Sequence, residues 1–178
     1  MTTFRKNDLV TATGVPREIL NTWIKRMEQY GFGLDGSRTD DGTNEARRWG
    51  EYSEADVLRL LTLKTLLDAG ITFKDAVQLA QRGEYGHGLK GSVGGPVLYY
   101  GQSYDPNLVA NDAYVFDYKI GVAESVQEAM ATLNGGPSLA GTEAAPVVLR
   151  STFIDIGALS DAARRRLNLT WGGDDADA

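Results

Sequence analysis

Between residues 8 and 82 the apolar positions recur three and four apart, whereas from residue 97 onward they gather in short β-branched and aromatic runs. The first pattern predicts four helices. A short helix from Asp8 to Thr13 follows Asn7 as its cap and stops at Gly14. A second begins near Pro16, a residue favoured in a first turn, and runs to about Tyr30 before Gly31-Phe32-Gly33. Ile19, Leu20, Trp23, Ile24 and Met27 are assigned to its apolar face, with Arg17, Asn21, Thr22 and Lys25 opposite. Leu34 to Glu51 is polar and punctuated by Gly36, Gly42 and Gly50, which suits a loop or an extended hairpin. Ser53-Glu54-Ala55-Asp56 approximates a capping box and opens a helix with Val57, Leu60, Leu61, Leu63, Leu66 and Leu67 as its apolar set. Gly70 ends it. Thr72 with Asp75 starts a shorter helix reaching about Gln81.

Gly83 to Pro96 contains Gly83, Gly86, Gly88, Gly91, Gly94 and Gly95, a density that predicts a linker or mobile loop. Val97 to Tyr100 and Tyr114 to Ile120 then read as strands. Val122 to Leu133 reads as a helix, Asn134 to Pro146 as a loop and Val147 to Ile156 as a strand. A last helix is expected from Ser160 to Leu167, capped by Ser160 and Asp161. The expected fold class is therefore α+β. A helical head (1–82), a glycine-rich linker (83–96) and a small α+β unit (97–170) follow one another, the unit's role open with oligomerisation as one candidate. The tail 171–178, acidic and small, is expected to be disordered.

Composition narrows the function. A hydrophobic fraction of 42% and a charged fraction of 24% are those of a folded soluble chain. Cysteine is absent, which excludes disulfides and thiolate metal sites and favours a reducing, cytoplasmic setting. One histidine leaves little for a multi-histidine metal site or a Ser-His triad. No apolar run approaches a membrane span, and MTTFRKND lacks the apolar core of a secretory signal, so no membrane partner is expected. The net charge of −6 argues at first against nucleic acid. Its distribution does not: residues 1–91 carry 13 basic and 13 acidic side chains, and residues 92–178 carry 5 against 11. A neutral half can still present one basic face.

Candidate chemistry is sparse. Asp112, Asp117 and Asp155 are scattered with no partner base, so no catalytic residue is assigned and no enzyme is expected. His87, in the glycine-rich stretch, is read as exposed and without a ligand role. Gly86-x-Gly88-x-x-Gly91 has the spacing of a dinucleotide fingerprint but no preceding strand or following helix, so no cofactor or metal is expected. Arg164-Arg165-Arg166 has two readings: cations favoured by a helix C-terminus, or a second nucleic-acid contact.

The segment Asp8-Leu9-Val10-Thr11-Ala12-Thr13-Gly14-Val15-Pro16 resembles the opening of MerR-type winged helix-turn-helix domains, where a short helix turns at Gly-Val into a recognition helix. The resemblance continues at Leu20 and Trp23, at Tyr52-Ser53-Glu54-Ala55-Asp56-Val57 with Leu60, and at Gly70-Ile71-Thr72-Phe73-Lys74-Asp75-Ala76. It covers roughly residues 4 to 82. It implies a winged helix-turn-helix head, mostly α with a wing, that binds double-stranded DNA. Asn21 and Thr22 stand where the family has Arg and Tyr, and Gly50 and Glu51 stand where it has an Arg before the Tyr. The glycines from Gly83 to Gly95 interrupt the long dimerising helix of effector-sensing members. Phage excisionases and small terminase subunits use related heads without that helix.

A helix in the major groove presents short polar side chains to base edges. Arg17, Asn21 and Lys25 follow one i, i+4, i+8 line, and Thr22 and Arg26 lie beside it. Arg38, Arg47 and Arg48 lie in the loop that matches the wing. Trp23 and Trp49 are read as core or wing packing. The expectation is a sequence-specific bacterial or phage transcriptional regulator, cytoplasmic, acting as a homo-oligomer with a dimer favoured and the second half as interface. The alternatives are a DNA-packaging or excisionase-like recombination factor, and a protein-binding adaptor or small-molecule sensor working through the second half.

Overall fold

The computed structural model describes residues 3–34, 51–83, 85, 89, 96–110, 113–134 and 147–169. Among the described residues, six helices and a three-stranded antiparallel sheet make an α+β fold. The helices are α1 (Lys6–Thr13), α2 (Arg17–Gln29), α3 (Glu54–Asp68), α4 (Phe73–Arg82), α5 (Val126–Asn134) and α6 (Ile156–Arg166). The strands β1 (Val97–Ala110), β2 (Ala113–Ala123) and β3 (Val147–Asp155) lie in the order β2-β1-β3. None of these helices is long and apolar enough to cross a membrane.

Helix α3 is the centre of the molecule. Val57, Leu58, Leu60, Leu61, Leu63 and Leu66 are buried around its whole circumference, as expected of a helix enclosed on all sides. Helices α1, α4 and α6 pack on it. Its start follows the sequence signal: the Ser53 hydroxyl accepts from the Asp56 N–H at 3.2 Å, and the Asp56 carboxylate accepts from the Ser53 N–H at 3.0 Å. Arg59 donates to the other oxygen of the buried Asp56 at 3.2 Å. In α4, Thr72 accepts from the Asp75 N–H and donates to its carboxylate.

Several boundaries differ from the sequence expectation: the helix expected from Val122 begins at Val126 as α5, because Val122 and Ala123 pair with Leu98 and Val97 as the end of β2. Helix α1 is capped at Arg5, not Asn7, because the Asp8 carboxylate accepts the Arg5 N–H at 2.7 Å. Pro16 stands at the N-cap of α2, one residue outside the helix. Helix α6 begins four residues before Ser160. The last residue of β3, Asp155, accepts the Ala158 N–H at 2.9 Å and caps it, so the strand passes directly into the helix. Ser160 is buried in mid-helix, and Asp161 pairs with Arg165 one turn on.

The sheet is a middle layer. Leu98 pairs with Val122 and Ile154, and that face packs on the helical head together with Tyr100 and Ile120. Tyr99 pairs with Gly121 and Phe153, and that face receives Ala129 and Leu133 of α5. A side chain at Gly101 would occupy the place of Leu133, so glycine permits the close approach of α5 to β1. The main buried cluster joins Leu98, Ile154, Ile156 and Ala163 to the leucines of α1 to α4. It also includes Tyr85 and Leu89, which fall in the glycine-rich stretch. The core thus runs across the boundary drawn at residues 83–96.

Candidate nucleic-acid interface

The turn between α1 and α2 is built by three residues. Gly14 takes the left-handed conformation, φ +68°, and its N–H caps α1 on the Val10 carbonyl. Thr13 is fully buried. Its hydroxyl donates to the Leu9 carbonyl at 2.7 Å and accepts from the Val15 N–H at 3.2 Å, bridging the last turn of α1 to the start of α2. Val15 is itself buried and anchors the turn. The sequence pointed to Gly-Val here but gave no role to the Thr13 hydroxyl.

Helix α2 is about 20 Å long at 1.5 Å per residue, and it is held to the body by one stripe. Leu20, Ile24 and Met27 are buried, and Trp23 is half-buried beside them. Phe73, at the start of α4, collects the far end. Its ring centroid lies 6.4 Å from that of Trp23 and 6.3 Å from that of Tyr30, and the Arg26 guanidinium rests 4.2 Å from it. Trp23 is thus a packing residue of the α2–α4 contact.

The opposite face of α2 is open. Arg17, Thr22, Lys25 and Arg26 are exposed there, and Glu18 and Gln29 lie among them. Thr22 donates its hydroxyl back to the Glu18 carbonyl at 2.9 Å. Asn21 does not share this exposure. It is half-buried at the edge of the apolar stripe, and its Oδ1 is enclosed without a hydrogen-bond partner among the described residues. The steps of 100° per residue explain it: Asn21 lies between Leu20 and Ile24 on one side and Lys25 on the other. Ile19, by contrast, leaves the apolar face to which it was assigned and is 46% exposed.

The segment after α2 returns to the body through a two-residue bridge. Phe4 and Tyr52 exchange backbone hydrogen bonds of 2.8 Å in each direction, and both side chains are buried. This ties Tyr52 to the start of the chain; Arg38, Arg47, Arg48 and Trp49, the expected wing residues, lie outside the described residues, as does His87.

The arrangement is a short helix, a left-handed turn and an open-faced second helix, backed by two more helices. Residues 4–83 match the family model of the MerR HTH family regulatory proteins. The head is thus similar to a MerR-type helix-turn-helix. No curated protein matches the chain. The matched segment stops at α4, so the sheet, α5 and α6 lie beyond it.

The Arg164-Arg165-Arg166 run is engaged within the chain. Arg164 is buried and donates to the Leu89 carbonyl at 3.0 Å. Arg165 pairs with Asp161, and Arg166 donates to the Ala12 carbonyl at 2.7 Å. Leu89 is held from its other side by Glu54, whose carboxylate accepts its N–H at 2.9 Å.

Proposed function

We propose that this chain is a sequence-specific double-stranded-DNA-binding transcriptional regulator of bacterial or phage type, working in the cytoplasm as a homo-oligomer. The observation that carries the reading is the division of α2. Leu20, Ile24 and Met27 satisfy the core, so its exposed cationic face, with Arg17 and Lys25, is free for a groove. Such a helix fits the ~12 Å major groove of B-DNA. Arg17 and Lys25 would address guanine or phosphate, and Arg26 would reach the backbone from its seat on Phe73. Arg38, Arg47 and Arg48 would neutralise phosphates from the wing position. A single recognition helix covers few base pairs, which is the reason to expect two copies on one site.

Selection of bound sequences from random duplex DNA at two salt concentrations tests this reading. The expected result is a defined sequence and a linear fall of log affinity with log salt. Affinity without salt dependence, or retention of no duplex at either concentration, overturns it.

A further inference from the structure

Of the large apolar side chains exposed among the described residues, Ile19 alone lies on the first turn of α2. Scattered apolar side chains are common on protein surfaces and need no explanation by themselves. Ile19 differs by its place. The fold does not use it, because Leu20, Ile24 and Met27 complete the buried stripe. It stands in the N-terminal half of the helix, the part that meets base edges when a recognition helix enters the major groove. Thr22, one turn further, is also exposed, and its hydroxyl proton is committed to the Glu18 carbonyl. Thr22 therefore has no free donor to offer, and the apolar part of this exposed side chain is its methyl group. Lys25, three residues after Thr22, is exposed beside it and brings positive charge to this face.

Resting on the DNA-binding reading above, we infer that Ile19, with the Thr22 methyl, reads the 5-methyl group of a thymine in the major groove. That methyl is the one apolar group displayed on a base edge there, and apolar side chains are its natural contact. The specificity of the head then rests at this position on an apolar contact, and not on the hydrogen-bonding line Arg17, Asn21, Lys25. Asn21, turned toward the body, is not the residue that reads the base.

The test uses the full chain and the duplex it selects from random DNA, with each thymine replaced in turn by deoxyuridine, which lacks only the methyl. One replacement should weaken binding about fourfold, the factor equivalent to ~0.8 kcal/mol for one buried methyl-sized group. Ile19→Ala should weaken binding to the thymine duplex by at least that factor and become indifferent to uridine at that position. Val126→Ala, a truncation of a comparably exposed side chain on α5, should keep the full uridine penalty. Salt-dependent binding that no uridine weakens, or an Ile19→Ala variant that keeps the penalty, overturns this inference and leaves the DNA-binding reading intact. Absence of duplex binding overturns both.

Discussion

Arg166, at the end of α6, donates a hydrogen bond of 2.7 Å to the carbonyl of Ala12, in the last turn of α1. The two residues are 154 positions apart in sequence. The bond closes the chain on itself: α6 lies over α1 and α3, and the helix that enters the Gly14 turn is held from behind by the helix that follows the sheet.

Arg166→Ala should lower stability by about 1 kcal/mol, the worth of one hydrogen bond to a backbone carbonyl. The reading is a lower urea midpoint at unchanged slope. A chain ended after Gly94 should lose the cooperative transition altogether, because Leu98, Ile154, Ile156 and Ala163 leave the core of the head. Far-UV circular dichroism during urea unfolding reports it. A 1–94 fragment that melts like the full chain would show that the head needs none of these residues.

The Thr13 hydroxyl is a second point of leverage. Thr13→Val keeps the volume but leaves the buried Val15 N–H without its partner, which should cost about 1–3 kcal/mol. Gly14→Ala forces an alanine into the left-handed region and should cost about 1–2 kcal/mol. DNA affinity should fall with both in proportion to the unfolded fraction, as read by thermal melts run beside binding isotherms. A Thr13→Val variant of full stability would remove the bridge from the argument.

For the cations, the expected signature is the salt slope. Arg17→Ala and Lys25→Ala should each reduce the slope of log affinity against log salt by about 1 where the side chain meets phosphate. The same holds for Arg38, Arg47 and Arg48. Asn21→Ala should leave slope and base preference nearly unchanged. A marked change of base preference in Asn21→Ala would return that residue to the reading face.

Alkaline pH should weaken the fold through tyrosine. Burial pushes the Tyr85 phenol up to about 12, against smaller opposing effects of the Thr62 hydroxyl and the Arg59 guanidinium. Burial also raises Tyr52, helped by Asp56 and Glu28. The folded state holds the proton that the unfolded chain releases near pH 10. Stability is therefore undiminished below pH 10 and is lost as pH rises from 10 toward 12, by roughly 2–3 kcal/mol for Tyr85 alone. Urea unfolding at pH 8, 10 and 11.5 measures it. A flat profile between pH 10 and 11.5 would contradict the burial of these phenols.

Local rules made much of this molecule legible in the sequence. Gly14 could only be a turn, Ser53 with Asp56 only a helix start, and Thr72 with Asp75 another, because each signal is completed within four residues. The same applies to the order of the pieces that marked the head as resembling MerR-type domains, and to the β-branched and aromatic runs that marked strands β1 and β2. What failed at this range was orientation. Ile19 and Asn21 lie near the margins of the apolar stripe of α2, where a few tens of degrees decide between core and solvent. The partner helices set that rotation, and periodicity alone does not give it.

The sequence by itself determined the helices of the head and the caps of α3 and α4, since capping and periodicity act over one or two turns. Only the tertiary structure decided the use of the three arginines of α6. Read locally they are solvated cations at a helix end; in the fold Arg164 and Arg166 seek unpaired carbonyls at Leu89 and Ala12, and Arg165 takes the carboxylate of Asp161. The glycine-rich stretch likewise reads as a break in the chain, yet Tyr85 and Leu89 within it are buried against the head. Glycine density lowers local helix propensity, but it does not forbid two apolar side chains from reaching a core, and burial of their area outweighs the loss.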